Sequence, residues 1–175
     1  EDGPLLIDID IRYEETVNER KYTDEHIIDL INIITYKLSD IYNFDNNSEI
    51  SVFVMEKDKI NKTDKKVKDG IHLLFTIKMH KAAQMILRDE ILDDVRSSWD
   101  DLPLTNSADD LIDEGIIKGT VNWQLYGSRK PGNDSYKLTN YYTLSYNKDD
   151  NEWSTAKNNL SKFNIKDNLF KLSAR

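Results

Sequence analysis

Residues 5–13 read LLIDIDIRY, and an apolar run with an acid at two alternate places folds most naturally as a strand. Side chains on a strand point alternately to its two faces, so Leu5, Ile7, Ile9 and Ile11 pack on one face while Asp8 and Asp10 stand together on the other. Same-face neighbours lie roughly 6.5–7 Å apart, close enough for leaning side chains to hold a divalent ion or a close pair of ions between them. The pattern predicts a carboxylate pair on a rigid floor, suited to metal-assisted phosphate chemistry. A surface strand whose polar face is acidic gives the same spacing.

At 175 residues and 20.4 kDa the chain has the size of one ordinary domain, and residues 1–175 are expected to form a single unit with a real core. The acid-bearing strand begins after only four residues, so the chain reads as a piece trimmed from something longer. With 38% hydrophobic and 32% charged residues it has the composition of a soluble globular protein. No run of about 18 apolar residues and no secretory leader is visible, so an intracellular setting without a membrane partner is expected. The absence of cysteine excludes disulfides and thiolate metal sites. A net charge of −8 argues against holding nucleic acid by bulk charge. Local charge still counts, since Lys57, Lys59, Lys62, Lys65, Lys66 and Lys68 make a lysine-rich segment, read as a loop.

Helical spacing of Ile27, Leu30, Ile31, Ile34, Leu38 and Ile41 predicts an amphipathic helix over 23–42, capped by Thr23. ISVFVME at 50–56 predicts a strand, and GIHLLFTIK at 70–78 another, with Ile71, Leu73, Phe75 and Ile77 on one face and His72, Leu74 and Thr76 on the other. Residues 80–97 return to helical spacing. DDLIDEGII is ambiguous, VNWQLYGS at 121–128 predicts a strand, and YKLTNYYTLSY at 136–146 a clear alternating strand ended by NKDDNE. Residues 155–175 are hard to read. The order fits an α/β or α+β fold with one mixed sheet and helices on a face. His26 and His80, near helix starts, are expected to face water, and Trp99, Trp123 and Trp153 to pack.

Three clusters carry chemistry. Asp8 and Asp10 are the first. The second is KDGIH at 68–72, where Gly70 permits close backbone approach and His72 projects beside Lys68, a trio suited to an anion. In the third, NWQLYGSRKP, Ser128, Arg129 and Lys130 lead into a Pro131–Gly132 turn, a candidate phosphate clamp because guanidinium and ammonium groups favour phosphate oxygens. Singly, each is also compatible with a satisfied structural histidine or a charged surface turn.

In this order, IDIDIRY, KDGIHLLF and LIDEGIIKGTVNWQLYGSRKP resemble the archaeo-eukaryotic primase superfamily, specifically the primase domain fused to a helicase in large DNA viruses and related elements. The resemblance spans residues 5 to about 146 and implies an RRM-like sheet flanked by helices, with the N-terminal part of the family's domain missing. It implies that Asp8, Asp10 and Asp113 bind catalytic Mg²⁺ or Mn²⁺ in a two-metal site, with Asp109, Asp110 or Glu114 as stand-ins for Asp113. It further implies that His72, Ser128, Arg129 and Lys130, with Lys68, hold the triphosphate of an incoming nucleotide. The implied activity is template-directed nucleotidyl transfer by a DNA primase, a DNA-directed RNA polymerase or primase-polymerase, with single-stranded DNA and nucleoside triphosphates as partners and a fused helicase in the longer protein. A viral origin would place it in the host cytoplasm or a replication factory. The chemistry agrees, since nucleotidyl transfer needs metal ions held by acids and separate cations on the phosphates.

Two other readings use the same residues. A non-catalytic single-stranded nucleic-acid binding module could stack bases on Tyr126, Tyr136, Tyr141 and Tyr142. A metal-dependent nuclease would share the acids but have no use for a triphosphate clamp.

Overall fold

The computed structural model describes residues 2–63 and 65–173. Its elements are β1 (Asp2–Tyr13), α1 (Asp24–Ile41), β2 (Glu49–Glu56), β3 (Asn61–Thr63), β4 (Lys66–His80), α2 (Lys81–Ser98), α3 (Ala108–Leu111), α4 (Glu114–Lys118), β5 (Lys137–Asn147) and β6 (Glu152–Lys157). Short turns of helix follow at Leu160–Lys162, at α5 (Ile165–Asn168) and at Leu169–Leu172. The strands form one sheet in the order β1-β4-β2-β5-β6, with β3 paired to the start of β4, and every pairing is antiparallel. The expected α/β sheet flanked by helices is present.

The alternation in the sequence becomes a two-faced sheet. On one face Leu5, Ile7, Ile9 and Ile11 of β1 join Ile71, Leu73 and Phe75 of β4 and Val52 and Val54 of β2 beneath α1 and α2. Ile27, Leu30, Ile31, Ile34 and Leu38 of α1 supply the facing stripe, and all are buried. Leu87, Ile91 and Val95 of α2 complete it. The other face carries Asp8, Asp10 and His72, with a smaller apolar cluster of Phe53, Met55, Leu74, Tyr136, Leu138 and Leu172. A register shift between Val54 and Met55 opposite β5 lets Leu138 and Tyr141 share that face although their numbers differ by three.

Two segments differ from the sequence expectation. The lysine-rich stretch is not wholly loop: Asn61–Thr63 pairs with Lys66–Lys68 as a short hairpin. The segment VNWQLYGS is not a strand but an irregular crossing with turns at Tyr126–Gly127 and Pro131–Gly132, where both glycines take positive φ. Its apolar residues have a reason other than pairing. The outer edge of β1 is occupied by residues 104–113, and β2 is paired on both sides, so 121–136 lies over the sheet and buries Trp123 and Tyr126 partly against it.

Candidate active site

Cross-strand register builds the site. Asp8 of β1 lies opposite His72 of β4, Asp10 opposite Gly70, and Arg12 opposite Lys68, so three successive pairs line one face of a two-stranded ribbon. His72 Nε2 stands 3.3 Å from Asp8 Oδ1. The contact falls outside hydrogen-bond geometry, leaving Asp8 Oδ1 buried without a hydrogen-bond partner, as is His72 Nδ1. Unpartnered buried polar atoms are uncommon and usually mark a ligand, an ion or a functional strain.

The third acid reaches this face because a connection pairs with the sheet edge. As an edge strand, β1 offers unpaired backbone groups on its outer side, and the segment after α2 satisfies them. Thr105 N–H donates to Arg12 O (2.8 Å), Arg12 N–H to Asn106 Oδ1 (2.5 Å), Asn106 Nδ2 to Asp10 O (2.9 Å), and Asp113 N–H to Asp8 O (2.9 Å). Buried Arg88 of α2 clamps the same segment from behind, donating from Nε to Ile112 O (2.9 Å) and from Nη2 to Asp109 O (2.8 Å). Asp113 is therefore anchored beside Asp8 by its own backbone. Its Oδ1 accepts from Gly115 N–H (2.7 Å) as the cap of α4.

Charge follows from this crowding. Burial first, then the neighbouring carboxylates of Asp8 and Asp113, push the Asp10 carboxyl above its ordinary value, while Lys68 and Arg12 pull the other way. Asp10 and Asp113 share a cleft of about 390 Å³ with Arg12, Arg88, Asp109, Asp110 and Glu114. Its five carboxylates are hard oxygen donors of the kind Mg²⁺ and Mn²⁺ prefer, while its two guanidiniums repel a cation and suit an anionic group. An orphaned buried oxygen on Asp8 and mutual repulsion at Asp10 both fit a cation, although among the described residues no three acid or imidazole side chains are gathered as a ready-made cage.

His72 is not open to solvent. Its ring stacks on Tyr136 at a centroid distance of 3.6 Å and meets Trp123 at 4.4 Å, and the residue is 3% exposed. Trp123 Nε1 is a third buried atom of this cluster without a partner. Gly70 serves this packing rather than a ligand: a Cβ there would meet the Tyr136 hydroxyl at 2.5 Å and Ile9 O at 3.2 Å. Tyr136 and Trp123 are the site residues that sequence reasoning placed elsewhere, one among base-stacking candidates and the other among packing residues. Position gave little signal, since both lie in irregular chain far from the histidine in sequence.

Ser128, Arg129 and Lys130 stand apart from the acids. They lie on an exposed turn between Trp123 and Tyr136, with Ser128 Oγ donating to Leu125 O (2.7 Å), and among the described residues no ion pair engages Arg129 or Lys130. The turn reaches the β3 hairpin through Asn61 Nδ2, which donates to Asn133 Oδ1 (3.0 Å). Lys68 is half-buried at its place opposite Arg12.

Of the two histidines expected to face water, one does and one does not. His80 is exposed and caps α2 by accepting from Ala82 N–H (3.2 Å). His26, by contrast, does not face water. Its Nδ1 accepts from Thr23 N–H (3.1 Å), which places the proton on Nε2, 3.2 Å from both oxygens of Asp101, and its ring lies edge-on to Trp99. Of the tyrosines offered for base stacking, Tyr142 is buried in the helix-side core and Tyr136 on His72, while Tyr126 and Tyr141 are half-buried, Tyr141 stacked on Phe53 (5.0 Å).

Residues 1–142 match the family described as the C962R protein N-terminal AEP domain, AEP standing for archaeo-eukaryotic primase. The chain belongs to this family. The match takes in the DxD strand, the histidine strand and Asp113 together. The primase-family chain is also 27% identical over 168 residues to a protein of Acanthamoeba polyphaga mimivirus named "Putative helicase L207/L206", covering 94% of this chain. It spans 17% of that viral protein's length. Membership of this family supports a primase-type function.

Proposed function

We propose that residues 1–175 are the catalytic domain of a DNA primase or primase-polymerase, part of a longer primase-helicase, that joins nucleotides from nucleoside triphosphates on a single-stranded DNA template. The observation that carries this reading is the placing of Asp113 at the β1 edge, its backbone bonded to Asp8 and its side chain sharing a cleft with Asp10, with an unpartnered Asp8 oxygen beside His72. The backbones that carry these acids are fixed by hydrogen bonds along β1, so a bound cation would have only to draw the side chains together.

In this reading Asp8, Asp10 and Asp113 hold Mg²⁺ or Mn²⁺, which when bound lowers the pKa of the attacking hydroxyl and offsets charge on the leaving pyrophosphate. His72, buried against Asp8, sets the orientation of that carboxylate. It reaches nucleotide phosphates only when the Trp123–Tyr136 segment withdraws. Arg129 and Lys130, exposed at the tip of that segment, then bring cationic charge to the triphosphate together with Ser128, and Lys68 supports from the ribbon. Base stacking by a non-catalytic module is less favoured, because Tyr136 and Tyr142 are buried and Tyr126 and Tyr141 are half-buried against the sheet.

The deciding experiment is primer synthesis with Mn²⁺ and labelled nucleotide. Asp8→Ala and Asp113→Ala should each lower incorporation by about a thousandfold or more while binding of single-stranded DNA persists. Incorporation by Asp8→Ala at the wild-type rate sinks the reading. Arg129→Ala with Lys130→Ala should raise the nucleotide KM about tenfold, whereas a nuclease would show no such effect.

A further inference from the structure

The ribbon that carries the acids continues into a second cleft of opposite character. Beyond Asp8–His72 and Asp10–Gly70 the next cross-strand pair on the same face is Arg12–Lys68. Here opens a cleft of about 350 Å³ lined by Arg12, Lys65, Lys66 and Lys68, with Glu14 and Glu15 on its wall. Arg12 lines both this cleft and the acidic one, so the two meet at a single side chain. Four cations face two carboxylates here, in a chain whose net charge is −8.

The β3–β4 hairpin sorts the lysine-rich segment into structural and available charges. Lys62 is used internally, its ammonium donating to Glu15 O (2.9 Å), Val17 O (3.0 Å) and Asn18 Oδ1 (2.6 Å), and it fixes the turn that walls the cleft. Lys57 lies over the Tyr136 ring at 4.9 Å. Lys65 and Lys66 are exposed in the cleft, and among the described residues neither enters an ion pair. The cations are thus spread along the ribbon, leading away from the acids, instead of being gathered at one point as a compact triphosphate would require.

We propose that Arg12, Lys65 and Lys66 form a track for the sugar–phosphate backbone of a single nucleic-acid strand whose end lies at Asp8 and Asp10, with Lys68 where the track meets the nucleotide. The inference rests on the polymerising role for those acids. Backbone contacts of this kind are independent of base sequence and weaken steeply with salt. Arg12, shared between the clefts and paired at 3.4 Å with Asp110, marks where the strand passes from the cationic track to the acidic centre.

The test is fluorescence anisotropy of a labelled single-stranded oligonucleotide over a salt series, with nucleotide affinity and incorporation measured on the same proteins. The Lys65→Gln/Lys66→Gln variant changes exposed side chains only, and the control Lys78→Gln/Lys166→Gln removes equal charge from exposed positions outside the cleft. The track predicts about tenfold weaker strand binding at ~0.1 M salt and a log–log salt slope shallower by about 1.4, at about 0.7 per lost contact on a single strand. It also predicts unchanged nucleotide affinity, recovery in Lys65→Arg/Lys66→Arg, and no change in the control. Equal strand affinity and slope in variant and wild type overturn the track and leave the role of the acids standing. Loss of nucleotide affinity with strand binding intact makes the cleft a triphosphate site and likewise overturns it. Weakened strand binding in a wild-type background that incorporates no nucleotide supports the track and removes the polymerising role.

Discussion

At the scale of single residues, Asp10 and Gly70 face each other across the ribbon and make opposite demands. The raised value at Asp10 means that the folded protein holds that proton more tightly than the unfolded chain. Its contribution to stability is therefore complete below the ordinary carboxylate value of 3.8 and is lost as pH rises through the higher folded value. The ionised form of Asp10 carries the cost of that burial and of the neighbouring carboxylates, a cost that a bound divalent cation would offset. Asp10→Asn should then raise Tm at pH 7 without metal and abolish the Tm increase expected of the wild type on adding Mn²⁺, both read by thermal unfolding. Gly70→Ala should cost about 1–3 kcal/mol by overpacking against the Tyr136 hydroxyl and Ile9 O. Since the nearest atom is that hydroxyl, Tyr136→Phe in the same chain should restore part of the loss, a coupling that a double-mutant cycle in urea measures.

Among the elements, two that are neither helix nor strand decide the site. The 104–113 segment closes the β1 edge, and Asn106 is its central latch, accepting from Arg12 N–H and donating to Asp10 O. Asn106→Ala leaves both backbone groups unpaired and should cost about 1–3 kcal/mol. Faster amide exchange at Arg12 and Asp113, with β2 and β5 unchanged, is the accompanying signature. The crossing from Trp123 to Tyr136 grips His72 at both ends. If it withdraws to admit a nucleotide, amide exchange in 121–136 should rise on adding Mn²⁺ with nucleoside triphosphate, and unchanged protection in the loaded protein would count against that motion.

Across the whole molecule the sheet separates stability from chemistry. The helix-side face holds the large core, and the opposite face holds the acids, the histidine and a small apolar cluster closed by Leu172. Ile34→Ala in the core should lower stability by about 2–5 kcal/mol, seen in urea unfolding, and leave Mn²⁺ affinity as in the wild type. A second buried network ties the connection between β1 and α1 to the neighbouring strands β2 and β4. Arg20 donates to both Asp69 oxygens (2.7 and 2.9 Å) and to Glu56 (3.2 Å), which also accepts from the Tyr22 hydroxyl (2.7 Å). Neither carboxylate could be left there without its partners.

Period alone settled much of this protein. Alternation in 5–13 and 70–78 and helical spacing in 23–42 and 80–97 reflect a single cause, that each element must turn one side toward a core, and local spacing records which side. The motif order likewise placed the primase family before any coordinate. Tertiary structure alone decided what depends on partners distant in the chain. The crossing 121–136 is apolar enough for a strand, yet it lies over the sheet, where Trp123 and Tyr126 pack on a face instead of pairing at an edge. Gly70 is small because Tyr136 needs the room, and Arg88 is buried because carbonyls of the 109–112 segment come to meet it. Asp113 arrives beside Asp8 because an edge strand must have its backbone paired, a demand that sequence neighbours cannot express.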